Sequence, residues 1–284
     1  MSLPRSSRLP TDLFSILALS TLLVATPAAA AINLQGVTPF AVLGTATVTN
    51  TGTTLIYGDI GVSPGTAITG LASITQVGTV HAADAVAELA RAQALSISAS
   101  LAALPFVTDL TGQDLGSVGV LTPGVYRFAS SAQLTGNLVL DFAGNANSAF
   151  VFQIGSTLTT ASASNVTVLN GGAGSSIFWN VGSAATLGTG STLAGNIFAT
   201  SSATLTTGAR ILCGRVLALN GAVTMDSNII SNDCSGAGAY GSGRSDFGSG
   251  GFAGAVPEPS AWAMLIFGFG ATGAMMRRRG RRLA

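Results

Sequence analysis

Side chains that could carry out acid–base, nucleophilic or metal-assisted chemistry are scarce in this sequence. It has one histidine, His81, and no lysine, so a Ser/His/Asp arrangement would have to be built on that single residue. The acidic residues stand singly, and Asp109 and Asp114 lack the DxDxDG spacing of a calcium loop. We therefore predict no catalytic residue, no metal site and no cofactor, and we predict that the chain is not an enzyme.

Two groups of residues come closest to a functional motif. Arg210, Arg215 and Asp226 form the one cluster in which the polysaccharide-cleaving site of a β-helix enzyme could be sought. The letters GAGAYG at 236–241 satisfy GxGxxG, but they follow no predicted strand and open no predicted helix. A dinucleotide-binding loop needs that context, so we predict none here.

Threonine and serine recur in step with short β-type runs. Between 149 and 228 the chain reads AFVFQIGSTLTTASASN, SIFWNVGSAATLGTGSTLAGN and IFATSSATLTTGARILCGRVLALNGAVTMDSN. The first two segments align with an offset of 27, which places Phe150 over Ile177, and later offsets are 20 from Ile177 to Ile197 and 18 from Leu187 to Leu205. A unit of this size cannot bury its apolar face alone, so the units must stack.

These features predict a mainly β fold, a right-handed parallel β-helix, over 32–234. Residues 81–104 contain no Gly or Pro and are rich in Ala and Leu, so they predict one long α-helix packed alongside. The predicted packing face of that helix comprises Val86, Leu89, Ala90, Gln93 and Ala94. The predicted interior of the β-helix comprises Phe150, Phe152, Ile177, Trp179, Ile197, Val216 and Leu217.

Stacked coils would place threonines of successive units in straight rows. Neighbouring strands lie about 4.7–4.9 Å apart and alternate side chains point outward, so equivalent threonines repeat at that spacing. Each threonine offers a hydroxyl and a methyl group on a stiff side chain. Such a surface can order water into a lattice-like layer.

The two ends of the chain carry export signals. Residues 1–31 have Arg5 and Arg8, then an apolar stretch, then PAAAA, which predicts a cleaved signal peptide. Residues 235–255 are rich in Gly and Ser, which indicates a linker. In an exported protein Cys213 and Cys234 are able to pair, although two cysteines alone do not establish a disulfide.

Residues 256–284 resemble the bacterial PEP-CTERM sorting signal. They contain the tripeptide Pro257-Glu258-Pro259, an apolar run at 262–276 and a basic cluster that includes Arg277, Arg278 and Arg279. The resemblance implies processing near the tripeptide by a membrane enzyme of the exosortase type. The short apolar run predicts a transient anchor in the inner membrane, and a plain C-terminal anchor is the alternative.

Residues 37–230 resemble the ice-binding protein family of bacteria, diatoms and fungi. The matching stretches are FAVLGTATVTNTG, GDIGVSPGTAITG, HAADA, LTPGVYRF, FVFQIGSTLTT, FWNVGSAATLGTGSTLAGNI and LNGAVTMDSN. The resemblance implies an irregular β-solenoid with a flanking helix and a face that binds ice or ordered water. The active face in this family often carries Thr, then Ala or Gly, then any residue, then Thr or Asn.

Four segments of this chain come near that pattern: 51–54, 160–163, 189–192 and 207–210. Ala163 and Arg210 depart from it, and we expect the long charged side chain of Arg210 to interrupt a flat face. The residues that the resemblance assigns to ice binding are Thr51, Thr54, Thr160, Ser162, Thr189, Ser191, Thr192 and Thr207.

Charge excludes one other class of partner. Residues 32–254 contain five arginines against nine acidic residues, a net charge of 5 − 9 = −4, so no basic patch for nucleic acid is expected. Because Thr and Ser suit the exposed strands of any exported solenoid, a structural or adhesive cell-surface role is the alternative to ice binding.

Overall fold

The computed structural model describes residues 32–234 and 251–252. The predicted signal peptide, most of the linker and the whole sorting segment with its apolar run 262–276 lie outside the described residues. No helix in the described part is both long and apolar enough to cross a membrane.

The described residues form short strands and one α-helix. In chain order these are β1 Ile32–Asn33, β2 Phe40–Gly44, β3 Thr47–Thr51, β4 Thr54–Tyr57, β5 Asp59–Val62, β6 Ala67–Thr69, a 3-10 turn Leu71–Ser73, β7 Ile74–Val77, β8 Val80–Ala82, α1 Ala85–Ala102, β9 Thr108–Asp109, β10 Val120–Leu121, β11 Gly124–Phe128, β12 Ala132–Leu134, β13 Asn137–Asp141, β14 Ala149–Ile154, β15 Leu158–Thr160, β16 Asn165–Leu169, β17 Ser176–Val181, β18 Ala185–Leu187, β19 Thr192–Ala199, β20 Ala203–Leu205, β21 Arg210–Ala218, β22 Val223–Asp226, β23 Ile229–Ser231 and β24 Gly251–Phe252.

The strands stack into a parallel β-helix with three faces. The helix-side face has the order β9-β11-β14-β17-β19-β21-β2-β5-β8, and α1 packs on it. The second face has the order β12-β15-β18-β20-β22-β3-β6 and is called the threonine sheet below. The third face has the order β10-β13-β16-β19-β21-β23-β4-β7. The long strands β19 and β21 take part in both the helix-side and the third face.

The order of the coils in space differs from their order in the sequence. On each face a C-terminal strand pairs with an N-terminal one: β21 with β2, β22 with β3 and β23 with β4. The chain therefore builds two coils, runs back along the stack as α1, and then builds the remaining coils until the last one meets the first.

The predicted strand register is confirmed at two offsets and wrong at a third. Phe150 pairs with Ile177, and Leu187 pairs with Leu205. Ile197, however, pairs with Trp179 and not with Ile177. The coil that runs from Trp179 to its partner Ile197 is 18 residues long, because it lacks the loop 170–175 of the preceding coil. The predicted offset of 20 is therefore two residues too long.

The interior is a continuous apolar column. The rings of Phe152 and Trp179 stack with centroids 4.2 Å apart, and Trp179 Nε1 donates to the carbonyl oxygen of Ala194 at 2.9 Å. Six of the seven predicted core residues lie in this column, and Leu217 is buried in the second cluster beneath α1. The stacked indole fills one coil and contacts the next, which ties neighbouring coils together.

Helix α1 is shorter than predicted at both ends. Val80–Ala82 is strand β8, and Asp84 is the N-cap, whose carboxylate accepts from the Ala87 amide at 2.8 Å. At the other end the side chain of Gln153 donates to the carbonyl oxygens of Leu101 and Leu104, both at 2.8 Å. The helix C-terminus is thereby satisfied by the sheet it packs on.

The predicted packing face of α1 is partly wrong. Ala90 and Ala94 are buried, but Val86 is 50% and Leu89 57% exposed. The buried stripe is Ala87, Ala90, Ala94, Ile97 and Leu101. The opposing strands carry large side chains such as Phe178 and Phe198. The helix can pack tightly against them where its own side chains are small, so alanines occupy much of its buried stripe.

Cys213 and Cys234 form a disulfide with their Cα atoms 4.6 Å apart. Cys213 is buried in β21, between the parts of that strand that belong to different faces. The bridge therefore fastens the end of the last described coil to the middle of the stack.

Replacing Trp179 by alanine is expected to lower the free energy of unfolding by about 3–5 kcal/mol, because it leaves a ring-sized cavity and removes the stacking on Phe152. Urea titration followed by circular dichroism measures this change. The control Leu169→Ala removes a side chain that is 40% exposed and should change stability by less than about 1 kcal/mol. Equal effects of the two variants would contradict the assignment of Trp179 to the core.

The double variant Cys213→Ser/Cys234→Ser removes a crosslink between two positions that lie 21 residues apart in the sequence. We expect a loss of about 3 kcal/mol, since the unfolded chain regains the entropy that the crosslink removed. Melting of oxidised and reduced wild type supplies the matched comparison. An unchanged melting temperature in both tests would show that the bridge does not constrain the unfolded chain.

Candidate functional site

The threonine sheet carries one straight row of threonines on its outer surface. Its short strands alternate buried residues with an outward polar residue, as in LTT, ATL, ATL and VTM, and the buried residues are apolar except Thr160 of LTT. The outward residues pair in register from coil to coil across all seven strands. In spatial order they are Gln133, Thr159, Thr186, Thr204, Thr224, Thr49 and Thr69.

These residues form the central row of what we call the threonine face. Because the strands are hydrogen-bonded in register, the six threonines repeat at about 4.7–4.9 Å. A second row lies two residues earlier in each coil and consists of small side chains: Ser131, Thr157, Ala184, Ser202, Ala222, Thr47 and Ala67. Neither row contains a charged residue, so this part of the surface is regular and uncharged.

A third row runs along one corner of the threonine face. Each coil turns there through a residue with positive φ, such as Gly52, Ala163, Gly190, Gly208 and Ser227. In four of these corners the amide of that residue, Ala163, Gly190, Gly208 or Ser227, donates to the carbonyl oxygen of the corner residue in the next coil at 2.9–3.1 Å. The corner residues are Ser162, Thr189, Thr207, Asp226 and Thr51. Thus four sequence-predicted residues, Thr51, Ser162, Thr189 and Thr207, stack in one exposed row.

Three other predicted residues do not reach the surface, and the expectation of an outward position is wrong for them. Thr54, Thr160 and Ser191 are at most 2% exposed. Thr160 Oγ1 donates to Ser191 Oγ at 3.1 Å and accepts from the Gly188 amide at 2.8 Å. Thr54 Oγ1 donates to Asn50 Oδ1 at 2.6 Å. Their hydroxyls satisfy polar groups inside the corners where the chain turns.

The last predicted residue, Thr192, lies on a different face. It begins β19 on the third face, where it pairs with Asn165 on one side and Arg210 on the other. Arg210 therefore does not interrupt the threonine face, contrary to the expectation from sequence. Ala163 occupies a turn position and leaves the central row intact as well.

Asp226 is the one acidic residue of the corner row. The hydrogen bond from Thr207 Oγ1 to Asp226 Oδ2, at 2.5 Å, holds the pKa of that carboxyl below its ordinary value, and bonds from Ser227 and Thr51 act in the same direction. The carboxylate is thus fixed against its neighbours in the row and is ionised at neutral pH.

The possible enzyme cluster is not assembled. Arg215 is fully buried on the helix-side face, where it donates to the carbonyl oxygens of Phe40 and Thr38 and to the side chain of Asn196. Burial lowers the pKa of its guanidinium to about 9. Arg210 is exposed on the third face and Asp226 lies at a corner of the threonine sheet, so the three residues do not share a site.

His81 also has a structural setting. Its Nδ1 lies 2.7 Å from Asp84 Oδ2, and its Nε2 lies 3.6 Å from Asp59 Oδ2. The backbone amide of Ala87 and then His81 lower the pKa of Asp84, the helix N-cap. Within residues 32–234 and 251–252, no three His, Cys, Asp or Glu side chains come together as a metal site would require.

The central row was not predicted, although the sequence contains a signal for it. The offset of 27 that aligns Phe150 with Ile177 also carries Thr159 to Thr186, and the offset of 18 carries Thr186 to Thr204. A threonine flanked on both sides by inward residues must point outward in a strand. Applied to each repeat, that rule selects the central row and rejects Thr160.

Fold and surface together define a class of protein: a β-helix that offers one threonine-lined face with an uncharged central row and has a helix covering another face. The chain belongs to the ice-binding-like family, whose model matches residues 42–231. A second model, the PEP-CTERM protein-sorting motif, matches residues 255–282, which include Pro257, Glu258, Pro259 and the basic cluster.

Individual relatives agree with this assignment. An ice-binding protein of Nostoc sp. (strain HG1) is 53% identical over 207 residues, which cover 72% of this chain and 76% of the relative. The crystal structure of an ice-binding protein from Antarctomyces psychrotrophicus superposes with a TM-score of 0.67 at 36% identity and covers 71% of this chain and 98% of that one. An ice-binding protein from an Antarctic biological consortium gives a TM-score of 0.67 at 34% identity, with 81% and 96% covered.

The contact between Thr207 and Asp226 yields a pH prediction. Because the folded-state pKa of Asp226 is depressed, its contribution to stability is present above the ordinary value of 3.8 and is lost as pH falls through the folded pKa. Thr207→Val removes the leading hydrogen bond, so the pKa of Asp226 should rise towards its ordinary value. An NMR titration of the carboxyl carbon measures it, with Thr204→Val as the control that leaves the titration unchanged. A titration that is equally unaffected in Thr207→Val would refute the assigned cause.

Proposed function

We propose that this protein adsorbs to ice through the threonine face and thereby inhibits ice recrystallisation or attaches cells to ice. The observation that carries the proposal is the register of six threonines across successive strands. Each hydroxyl donates and accepts hydrogen bonds, while each methyl group favours ordered neighbouring water. The spacing is fixed by the backbone, so the bound water repeats with it.

The surroundings of the central row support adsorption to an extended solid. The neighbouring row is made of Ala, Ser and Thr, whose short side chains leave the row accessible to a flat surface. The corner row adds hydroxyls from Thr51, Ser162, Thr189 and Thr207 on one side. A flat solid surface needs no concave pocket to bind it, and its adsorption involves no catalytic step.

We further propose that the protein acts outside the cytoplasm. The signal peptide at 1–31 would direct export, and the apolar run at 262–276 would hold the chain transiently in the inner membrane. An exosortase-type enzyme would then cleave near Pro257-Glu258-Pro259. The match to the PEP-CTERM motif and the disulfide between Cys213 and Cys234 support this route, since disulfides persist in oxidising compartments.

Substitution in the central row tests the proposed surface. Thr224→Tyr places a bulky ring between Thr204 and Thr49, which should lift the face away from ice and reduce thermal hysteresis at least about five-fold. The measurements are thermal hysteresis and recrystallisation inhibition of the exported chain. Circular dichroism checks that the fold is retained.

Two further variants locate the active surface. Arg210→Tyr makes the matched change on the third face and should leave activity unchanged. Thr189→Tyr alters the corner row and should give an intermediate loss, because that row borders the contact area. Inactive wild type would refute ice binding and favour an adhesive solenoid, and equal losses for Thr224→Tyr and Arg210→Tyr would refute this face.

A further inference from the structure

The two ends of the β-helix are finished differently. At the β9 end, Leu110, Leu115 and Leu121 turn into the core and close it. The Leu115 amide donates to the carbonyl oxygen of Gln133 at 2.8 Å, so the loop pairs with the edge of the threonine sheet. Asp114 also accepts from the amides of Gly116 and Thr135 there. This end is covered by its own loop and carries charge.

The opposite end, the terminal coil 67–82, has no such cover among the described residues. Strands β6, β7 and β8 are the last members of their three faces. Ile68 and Ile74 occupy inward positions of this coil, yet they are only partly buried. Leu71, Val77 and Val80 are 40%, 51% and 37% exposed, which places several apolar side chains around the same rim.

The terminal coil also lacks the features that normally keep strand edges apart. Residues 60–83 contain no Asp, Glu, Lys or Arg. Proteins commonly protect exposed edges with charged residues or with a covering loop. The single titratable side chain of the segment, His81, lies 2.7 Å from Asp84 and 3.6 Å from Asp59, two carboxylates just outside the segment.

We propose that the terminal coil 67–82 is the interface at which a second copy of this chain docks end to end. Under a two-fold axis the two rims meet face to face, so that a residue i of one copy contacts a residue j of the other and j contacts i. Charged side chains of one sign in 60–83 would oppose such a contact, and this segment has none. The three edge strands of each copy meet antiparallel, so their backbone groups pair while the exposed apolar rim is buried. Such an interface is closed and yields a dimer.

The pattern of threonines agrees with docking at this end. The central row reaches the terminal coil, where Thr69 is its last and exposed member, whereas the other end of the row is Gln133. Two copies joined at β6 with their threonine faces on the same side would carry twelve threonines in one row. This consequence rests on the proposed function, but the dimer itself does not.

Sedimentation equilibrium of the exported chain tests the interface. We expect a mass twice that of a single copy. Val77→Lys brings one charge from each copy into the buried rim, so it should yield the single-copy mass. Thr75→Lys serves the same purpose where Val77→Lys fails to fold. The matched control Val120→Lys changes a residue that is 59% exposed at the covered end and should remain dimeric.

Wild type of single-copy mass, a rim variant that stays dimeric, or a ladder of larger species would each overturn the proposal. Ice assays on the same samples separate it from the proposed function. A single-copy wild type with ice activity refutes the dimer alone. A dimer without ice activity refutes the proposed function alone.

Discussion

Register between coils is the constraint on which this structure depends. Every named strand pair except β1 with β24 is parallel, and the pairs run without a break from one end of each face to the other. A slip of one residue in a strand of the threonine sheet would turn its outward threonine inward and its apolar residues outward. The same backbone pairing that buries Phe152 on Trp179 therefore also aligns Thr159 with Thr186.

Register is maintained although the coils differ in length. The coil that contains β14 is 27 residues long and the coil that contains β17 is 18, yet both contribute paired strands to all three faces. Extra residues are taken up in loop 170–175, where the buried hydroxyl of Ser175 accepts from the Gly172 amide and donates to the carbonyl oxygen of Asn145. At another corner, which has the same length in both coils, Thr160 and Ser191 satisfy the turning backbone, so threonine has two roles in this sequence, one inside and one outside.

The join between the first and last coils relies on a buried arginine. Arg215 in β21 reaches the carbonyl oxygens of Thr38 and Phe40, about 175 positions away in the sequence, at the point where β21 pairs with β2. Burying a guanidinium is costly, but the cost is offset where several acceptors surround it. Arg215 meets these N-terminal acceptors only after the C-terminal coils have formed, so the contact closes the stack late in chain order.

Much of the fold can be predicted from the sequence, but less of the site. Repeated apolar runs predict the β-helix, and a stretch without Gly or Pro predicts α1, because both signals are local in the chain. The pairing of β21 with β2 leaves no local signal, since Val42 and Val216 lie 216 − 42 = 174 positions apart, although both segments read VL followed by VT. The choice among threonines failed for a physical reason: Thr160 and Thr189 look alike in the family pattern, whereas strand alternation makes the first buried and the turn makes the second exposed.

Comparison of the three faces explains why only one is suited to an extended planar ligand. The helix-side face is covered by α1, whose alanine stripe lies against Phe178 and Phe198. On the third face one register row mixes Asn165, Thr192, Arg210, Ile229 and Leu55, so successive coils offer different lengths, charges and polarities. The threonine sheet alone repeats one side chain at one position. A crystalline surface presents the same chemistry at each lattice step. A row of identical side chains can therefore make the same contact at every step, whereas a mixed row cannot.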